Sequence, residues 1–346
     1  MSRSLRLVSL LLAVFAGTIS WLARPARALT PPQGQASLPP MRAGSRMVTD
    51  EVGRRVVIPG DVRRIVSLAP NLTETVYALG LGDRLVGDTS YCDTPPEAKT
   101  KPHVGGPTNA SVEAIVALRP DLVFATMINR EETVDALAHL GIPVYTTDPH
   151  TVRGMIRSVD RMAEVLGAEK QGAALTAKLN TTLEELQARL ATVRPTRVLF
   201  VVWLDPLITV GENTFIADAL RCAGAESVIS SRQNWPQIGL EEVVRLQPDY
   251  IVLAASHTGE GSRTIQSLHS RAVWRDLEAV ESGRVAIISD EINRPSPALI
   301  DVIEQLARDL HPQAFAGRDG PVRSADDPGP EAVAAARKLR SDACPR

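Results

Sequence analysis

The sequence predicts an α/β protein of two lobes, each built on a parallel sheet, joined by one long helix. Three observations carry this expectation. Segments with the spacing of helices alternate with short apolar segments that have too little alternation to face water on one side, the pattern of parallel strands covered by helices. A phrase near the middle of the first half, Ser111-Val-Glu-Ala-Ile-Val-Ala-Leu-Arg-Pro-Asp-Leu-Val, returns in the second half as Gly239-Leu-Glu-Glu-Val-Val-Arg-Leu-Gln-Pro-Asp-Tyr-Ile-Val. Aligned on Glu113 and Glu241, the phrases also match at Val116/Val244, Leu118/Leu246, Pro120/Pro248 and Asp121/Asp249. Between the copies lies Ala168 to Val193, where Leu175, Leu179, Leu183, Leu186 and Leu190 lay one apolar stripe along a helix.

In chain order, Arg3 and Arg6 precede an apolar run from Leu7 to Leu22, and Ala26-Arg27-Ala28 supplies a small-x-small cleavage pattern. Residues 1–28 are therefore expected to be a signal peptide cut after Ala28. No cysteine follows the run to accept a lipid, and no later stretch has the length of a membrane span. Residues 29–45 are rich in Pro, Gly, Ser and Gln and are expected to be a disordered leader.

The first lobe, 46–150, begins with two short strands around Asp50-Glu-Val-Gly53. Arg64-Ile-Val-Ser-Leu-Ala-Pro is a buried strand, and Asn71 with Glu74 suggests a capping box opening a helix from Thr73 to Leu79. The strand Leu85-Val-Gly-Asp delivers the loop Thr89-Ser-Tyr-Cys-Asp-Thr-Pro-Pro; a second loop, Pro102-His-Val-Gly-Gly-Pro-Thr-Asn, leads to a helix capped by Ser111 and broken by Pro120. Leu122-Val-Phe-Ala, a helix from Glu131 to Leu140 and the strand Pro143-Val-Tyr-Thr-Thr complete it.

The linking region, 151–193, contains the leucine-striped helix, which at 1.5 Å per residue spans roughly 37 Å. One stiff crossing restricts two lobes to small rocking movements, and Gly172 near its start is the expected place for any bend. The second lobe, 194–312, repeats the grammar. It runs through the strand Arg197-Val-Leu-Phe-Val-Val, a helix from Phe215 to Cys222, the second copy of the phrase, the strand Arg284-Val-Ala-Ile-Ile-Ser and a last helix from Ala298 to about Leu310. Residues 313–346 are expected to form a mobile tail with a short helix between Glu331 and Leu339.

A formal charge of −2 on 346 residues argues against nucleic acid or an anionic membrane surface as the main partner. Enzyme motifs are missing: there is no Gly-x-Ser-x-Gly elbow, phosphate loop or His-Glu-x-x-His, and the six histidines are scattered. Asp121 and Asp249 each follow a proline and are expected to be turn residues. The three cysteines, Cys92, Cys222 and Cys344, have no metal-ligand spacing, and no pairing follows from the sequence.

Ligands of parallel sheets bind at the carboxyl ends of the strands, and two facing sheets make a cleft there. The loops at those ends offer Tyr91, Pro107 and Thr108 from the first half and Trp203, Trp235, Asp290 and Arg294 from the second. Only 4% of the residues are aromatic, so Trp235 in a polar loop is an expected wall for a large flat or apolar ligand, with Tyr91 and Trp203 as further candidates. Glu113 and Glu241 stand at equivalent helix starts. They either complement helix N-termini or meet matched basic sites on a two-fold symmetric partner, and the sequence symmetry alone leaves both open.

Val48-Thr-Asp through Pro59, Ser67-Leu-Ala-Pro-Asn-Leu-Thr-Glu, Ser90-Tyr-Cys-Asp-Thr-Pro-Pro-Glu-Ala, the Ser111 phrase and Trp235-Pro-Gln resemble the substrate-binding proteins of ABC importers. The subclass is the helical-backbone one that handles cobalamin, haem and ferric siderophores, with its cobalamin-binding members most alike; the similarity covers about residues 46–312. The resemblance implies two Rossmann-like lobes with a ligand cleft between them. It also implies cleft contacts at Tyr91, Trp235, Asp290 and Arg294, and docking of Glu113 and Glu241 on arginines of a permease dimer. Those members carry Trp where this chain has Pro107 and Thr126, and Phe near Ile208, so this cleft is less aromatic. Cys222 matches a disulfide cysteine whose partner position falls at Ala307, so that bridge is absent.

The resulting expectation is a monomeric periplasmic receptor, not an enzyme. It has no cofactor of its own, captures a metal-chelate, cobalamin or another corrinoid first, and delivers it to an inner-membrane ABC permease. A ferric siderophore or haem is the alternative ligand, and a metal-cofactor enzyme akin to chelatases the alternative class. That class would need clustered Cys or His, which the sequence lacks.

Overall fold

The computed structural model describes residues 44–255 and 268–316. The expected signal peptide, nearly all of the leader, the tail helix and Cys344 lie outside the described residues. The chain opens with an antiparallel hairpin, β1 (Arg46–Thr49) and β2 (Arg55–Ile58), whose turn is organised by Asp50. Asp50 Oδ1 accepts from the Arg54 backbone at 2.7 Å, and Oδ2 pairs with the Arg54 guanidinium at 2.8 Å.

The first lobe follows as β3 (Ile65–Ser67), α1 (Pro70–Ala78), β4 (Leu85–Gly87), α2 (Val112–Ala117), β5 (Leu122–Thr126), α3 (Glu131–His139) and β6 (Val144–Thr147). Its sheet has the order β4-β3-β5-β6, all parallel. Then come α4 (Val152–Val165) and α5 (Glu169–Leu190). The second lobe contains β7 (Thr196–Val201), a tight hairpin β8 (Trp203–Leu204) and β9 (Leu207–Ile208), then α6 (Phe215–Cys222) and β10 (Ala225–Ser227). It continues through α7 (Leu240–Leu246), β11 (Tyr250–Ala254), the short α8 (Ala272–Arg275) and α9 (Glu278–Glu281), β12 (Val285–Ile288) and α10 (Leu299–Leu310). Its sheet has the order β10-β7-β11-β12, again parallel. Taken in each lobe's own chain order, both sheets have their second strand outermost, then the first, third and fourth. The repeated phrase therefore marks a repeated topology, with α2-β5 and α7-β11 in equivalent places.

The repeat extends to backbone geometry that no propensity favours. Arg119 and Gln247, the residues before the two matched prolines, both adopt positive φ, 47° and 42°. A non-glycine residue there costs about 1–2 kcal/mol, and an arginine from the neighbouring strand offsets it in each lobe. The Arg64 guanidinium donates to Leu118 O at 2.7 Å and Arg119 O at 3.1 Å; that of Arg197 donates to Leu246 O at 2.7 Å and Gln247 O at 3.0 Å. Asp121 and Asp249 do more than turn the chain. Asp121 Oδ2 accepts from the Arg64 backbone at 2.8 Å, and Asp249 Oδ2 from the Arg197 backbone at 3.1 Å.

One face of each sheet packs into a single apolar core running from Val56 in the hairpin through Phe124, Met155, Leu183 and Phe200 to Leu306. The opposite faces have their own clusters, around Val66, Ile115 and Leu137 in one lobe and Leu199, Leu253 and Trp274 in the other. The lobes are thus joined by more than a lone crossing helix. α4 and α5 pack on one another, and α4 begins against the second lobe, where Val152 N donates to Asp218 Oδ2 at 2.8 Å. The expected leucine stripe is the buried side of α5: Leu179, Leu183, Leu186 and Leu190 are buried and Leu175 packs at its edge. Gly172 is a contact point between α4 and α5. A Cβ there would stand 2.4 Å from Ala163 Cβ, so its missing side chain is what lets α4 and α5 approach.

Two further expectations change. α1 begins at Pro70, without a side-chain cap, because a proline at the first position has its φ already set for a helix. Asn71 is buried inside the helix and Glu74 turns away to a partner across the molecule, so no capping box forms. Cys92 is buried and free, whereas Cys222 is disulfide-bonded.

Candidate functional site

The candidate site lies where the loops from the carboxyl ends of the two sheets meet. In the first lobe the loop after β4 carries Tyr91, and three backbone bonds lay it against the Pro102 loop. Asp88 N donates to Pro102 O at 3.1 Å, Val104 N to Asp88 O at 2.8 Å and Ser90 N to Gly105 O at 2.9 Å. Tyr91 consequently rests on glycine: a Cβ on Gly106 would stand 3.3 Å from the ring. Pro107 follows directly. Its carbonyl accepts from Asn129 Nδ2 at 2.8 Å, and the same amide donates to Leu68 O at 2.8 Å while its Oδ1 accepts from Thr126 N at 2.7 Å. Buried Asn129 thereby ties together the loops after β3 and β5 and the loop before α2. Met127 and Ile128 beside it are exposed, an apolar pair that no motif in the sequence singled out.

Beneath Tyr91 the loop is knotted to α1. Cys92 Sγ lies 3.1 Å from Thr73 Oγ1 and 3.2 Å from Thr89 Oγ1, and burial pushes its thiol pKa up, which disfavours a reactive thiolate.

The root of this loop holds a buried carboxylate. Asp88 is fully buried, with Oδ1 2.8 Å from His103 Nδ1 and no partner for Oδ2 among the described residues. Burial drives its pKa up to about 6, against the pull of His103. The unfolded chain releases this proton near 3.8 and the folded protein holds it to about 6. Folding therefore takes up a proton in that window, and the contribution to stability present below it is lost as pH rises through 6. The variant Asp88→Asn, which copies the neutral form, is expected to be more stable than the parent by about 3 kcal/mol at pH 7.5, with most of the gain gone by pH 4. Urea unfolding at the two pH values checks this, and a variant less stable at pH 7.5 would show that the ionised carboxylate is the favoured form.

In the second lobe, Trp203 pairs with Ile208 across the β8-β9 hairpin, and Ile208 bridges in turn to Gln237. Thr209 N donates to Pro236 O at 3.1 Å and Gly211 N to Asn234 O at 3.0 Å, so the Trp235 loop lies alongside the hairpin. The Trp203 indole N–H donates to Asp205 O at 2.8 Å, holding its ring over the turn. Tyr91, Trp203 and Trp235 are 64%, 52% and 51% exposed, a large apolar exposure for a protein with so few aromatic residues.

Asp290 is half-buried at the start of the turn after β12, which leads to Arg294. Arg294 crosses to the first lobe, its Nη1 lying 2.9 Å from Glu74 Oε1 and 3.1 Å from Asp93 Oδ1. Burial raises the Glu74 pKa, opposed by the nearby Ser296 hydroxyl and by Arg294. A cavity of about 560 Å³ beside this junction is lined by Glu74, Tyr77, Thr94 and Pro95 with Pro297 and Ala298 of the second lobe; Tyr91, Trp203 and Trp235 do not line it.

Glu113 and Glu241 are exposed in the first turns of α2 and α7. Ser111 caps α2 through Ala114 N at 3.1 Å and also donates to Glu113 Oε2 at 2.9 Å. The Glu113 backbone N–H, and then Ser111, hold the Glu113 carboxyl below the usual range. The lobes place both glutamates at equivalent topological positions.

Two parallel-sheet lobes on a shared core, with apolar rings exposed on the loops at their carboxyl ends, define a bilobal binding protein. The chain belongs to the periplasmic binding protein family, which it matches over residues 65–292. It is 32% identical over 277 residues to the uncharacterized ABC transporter substrate-binding lipoprotein YvrC of Bacillus subtilis, covering 78% of this chain and 86% of that one. It is 30% identical over 249 residues to the vitamin B12-binding protein of Yersinia pestis, covering 71% and 86% respectively. Among solved structures, the periplasmic vitamin B12 binding protein BtuF of Vibrio cholerae superposes with a TM-score of 0.63 at 26% identity, over 74% of this chain and 99% of that one. These relatives are binding proteins of transport systems and not enzymes. Among the described residues, no helix is long and apolar enough to cross a membrane.

Proposed function

We propose that this chain is the receptor of an ABC importer: exported by cleavage after Ala28, it captures a corrinoid of the cobalamin type and passes it to an inner-membrane permease dimer. The observation that carries the reading is the exposure of Tyr91, Trp203 and Trp235 on loops that cap the two sheets. Rings left half in water gain roughly 25 cal/mol for each Å² that a ligand covers, and a large flat chelate covers several at once. Pro107, Met127 and Ile128 extend the apolar wall of the first lobe. Asp290 and the guanidinium edge of Arg294 offer polar groups for the periphery of the ligand. Likeness to vitamin B12-binding relatives supports the same ligand class.

Residues 46–150 and 194–312 act as the two ligand-holding lobes, with 151–193 joining them. Glu113 and Glu241, one on each lobe, meet basic side chains of the permease. Tryptophan fluorescence during titration with cyanocobalamin, haemin and a ferric siderophore tests the ligand. Saturable quenching by cyanocobalamin at micromolar concentration or below is expected, and failure to bind any corrinoid in that range would overturn the assignment.

A further inference from the structure

We propose that Arg294 is an inter-lobe strut, a positioning residue that fixes the Tyr91 loop against the second lobe and so sets the width of the cleft. It goes beyond the receptor reading, on which only its consequence for ligand capture rests. The base of the strut is rigid. Arg294 N donates to Glu291 O at 3.0 Å, Ser296 N donates to Arg294 O at 2.8 Å, and the neighbouring Ile292 and Ser296 side chains are fully buried.

The far end is rigid as well. Glu74 belongs to α1 and is buried, Asp93 follows Tyr91 by two residues, and the Thr73–Cys92–Thr89 knot makes α1 and the Tyr91 loop one unit. One guanidinium therefore holds two anchors of the same unit, across 220 residues of sequence in one case and 201 in the other. Packing alone does not fix the spacing at this edge, because the cavity between Tyr77, Pro95, Pro297 and Ala298 lies beside the junction. Glu74 is too buried to touch a ligand in the cleft, so its removal isolates the strut from any direct contact that Arg294 makes with a ligand.

Hydrogen–deuterium exchange on the ligand-free protein tests this without reference to ligand identity. Arg294→Gln is expected to speed exchange about tenfold or more in residues 89–97 and 289–296, since removing the shared partner of Glu74 and Asp93 frees both segments. The strands Leu122–Thr126 and Tyr250–Ala254 should remain as protected as in the parent. Glu74→Gln should reproduce the pattern, and Arg294→Lys, which keeps the charge, should restore most of the protection. Unchanged exchange in 89–97, or equal acceleration in the strands, overturns the proposal. Should Arg294→Gln not fold, Asp93→Asn decides: its side chain is more than half exposed, and acceleration in 89–97 supports the strut while none refutes it.

Discussion

Reversing the charge of both Glu113 and Glu241 to lysine is expected to abolish uptake of the transported ligand while leaving its affinity for the purified receptor unchanged. Both carboxylates stand in water at the starts of short helices. There a solvent-screened carboxylate adds little to its helix, so neither lobe depends on them to fold. Against a basic partner the balance differs. Truncating one member of a desolvated interfacial charge pair costs about 2–5 kcal/mol, and reversal adds like-charge repulsion to that. Two such losses amount to a factor of roughly a thousand or more in association, whereas a single reversal should leave measurable uptake.

The effect depends on the carboxylates being held at a fixed spacing, and the matched Arg64 and Arg197 clamps supply that rigidity. Arg64, just before β3, and Arg197, in β7, each fasten the end of the glutamate-bearing helix to a central strand of its sheet. Uptake into vesicles containing the permease, measured beside ligand titration of the same variants, checks the prediction. Retained uptake would remove the docking role, and simultaneous loss of uptake and affinity would indicate a folding defect.

The two-lobed plan was legible because it is written twice. The repeated phrase places one helix and one strand in each half, and both sheets adopt the same strand order around them. What the phrase did not disclose is its anchors. Arg64 lies 54 and 55 residues, and Arg197 49 and 50 residues, from the carbonyls they hold, beside strands whose other residues differ, so no local pattern links them. The β8-β9 hairpin escaped notice for a different reason, since its strands of two residues each are too short to show alternation.

At the candidate site, residue types in loops pointed to Tyr91, Trp203 and Trp235 because exposed rings are uncommon in so aromatic-poor a chain. The same reasoning passed over Met127 and Ile128, whose neighbours Thr126 and Asn129 carry ordinary turn signals. Arg294 was visible as a charge near the cleft, but its pairing with Glu74 is a product of tertiary folding. Capping rules, being local, assigned that glutamate to its own helix instead.

Trp235→Ala is expected to weaken cyanocobalamin binding by about 10- to 100-fold with little change in the melting temperature. The ring is half exposed, and covering the remainder of a side chain that buries 150–250 Å² in full is worth roughly 2–3 kcal/mol. Because that area faces water in the free protein, its loss takes little from the folded state; the cost falls on the complex. Trp203→Ala should differ in kind. Its indole N–H holds the Asp205 carbonyl at the turn of the β8-β9 hairpin, and that hairpin supports the Trp235 loop through Ile208. Truncation there should therefore weaken binding and also lower the melting temperature, whereas the Trp235 change separates the two. Calorimetric titration with thermal unfolding of both variants distinguishes them, and a Trp235→Ala protein of undiminished affinity would remove this ring from the cleft. Tyr91→Phe supplies the matching test on the first lobe: if the exposed part of the ring, turned away from Gly106, is what meets the ligand, the hydroxyl is dispensable and only Tyr91→Ala should lose affinity.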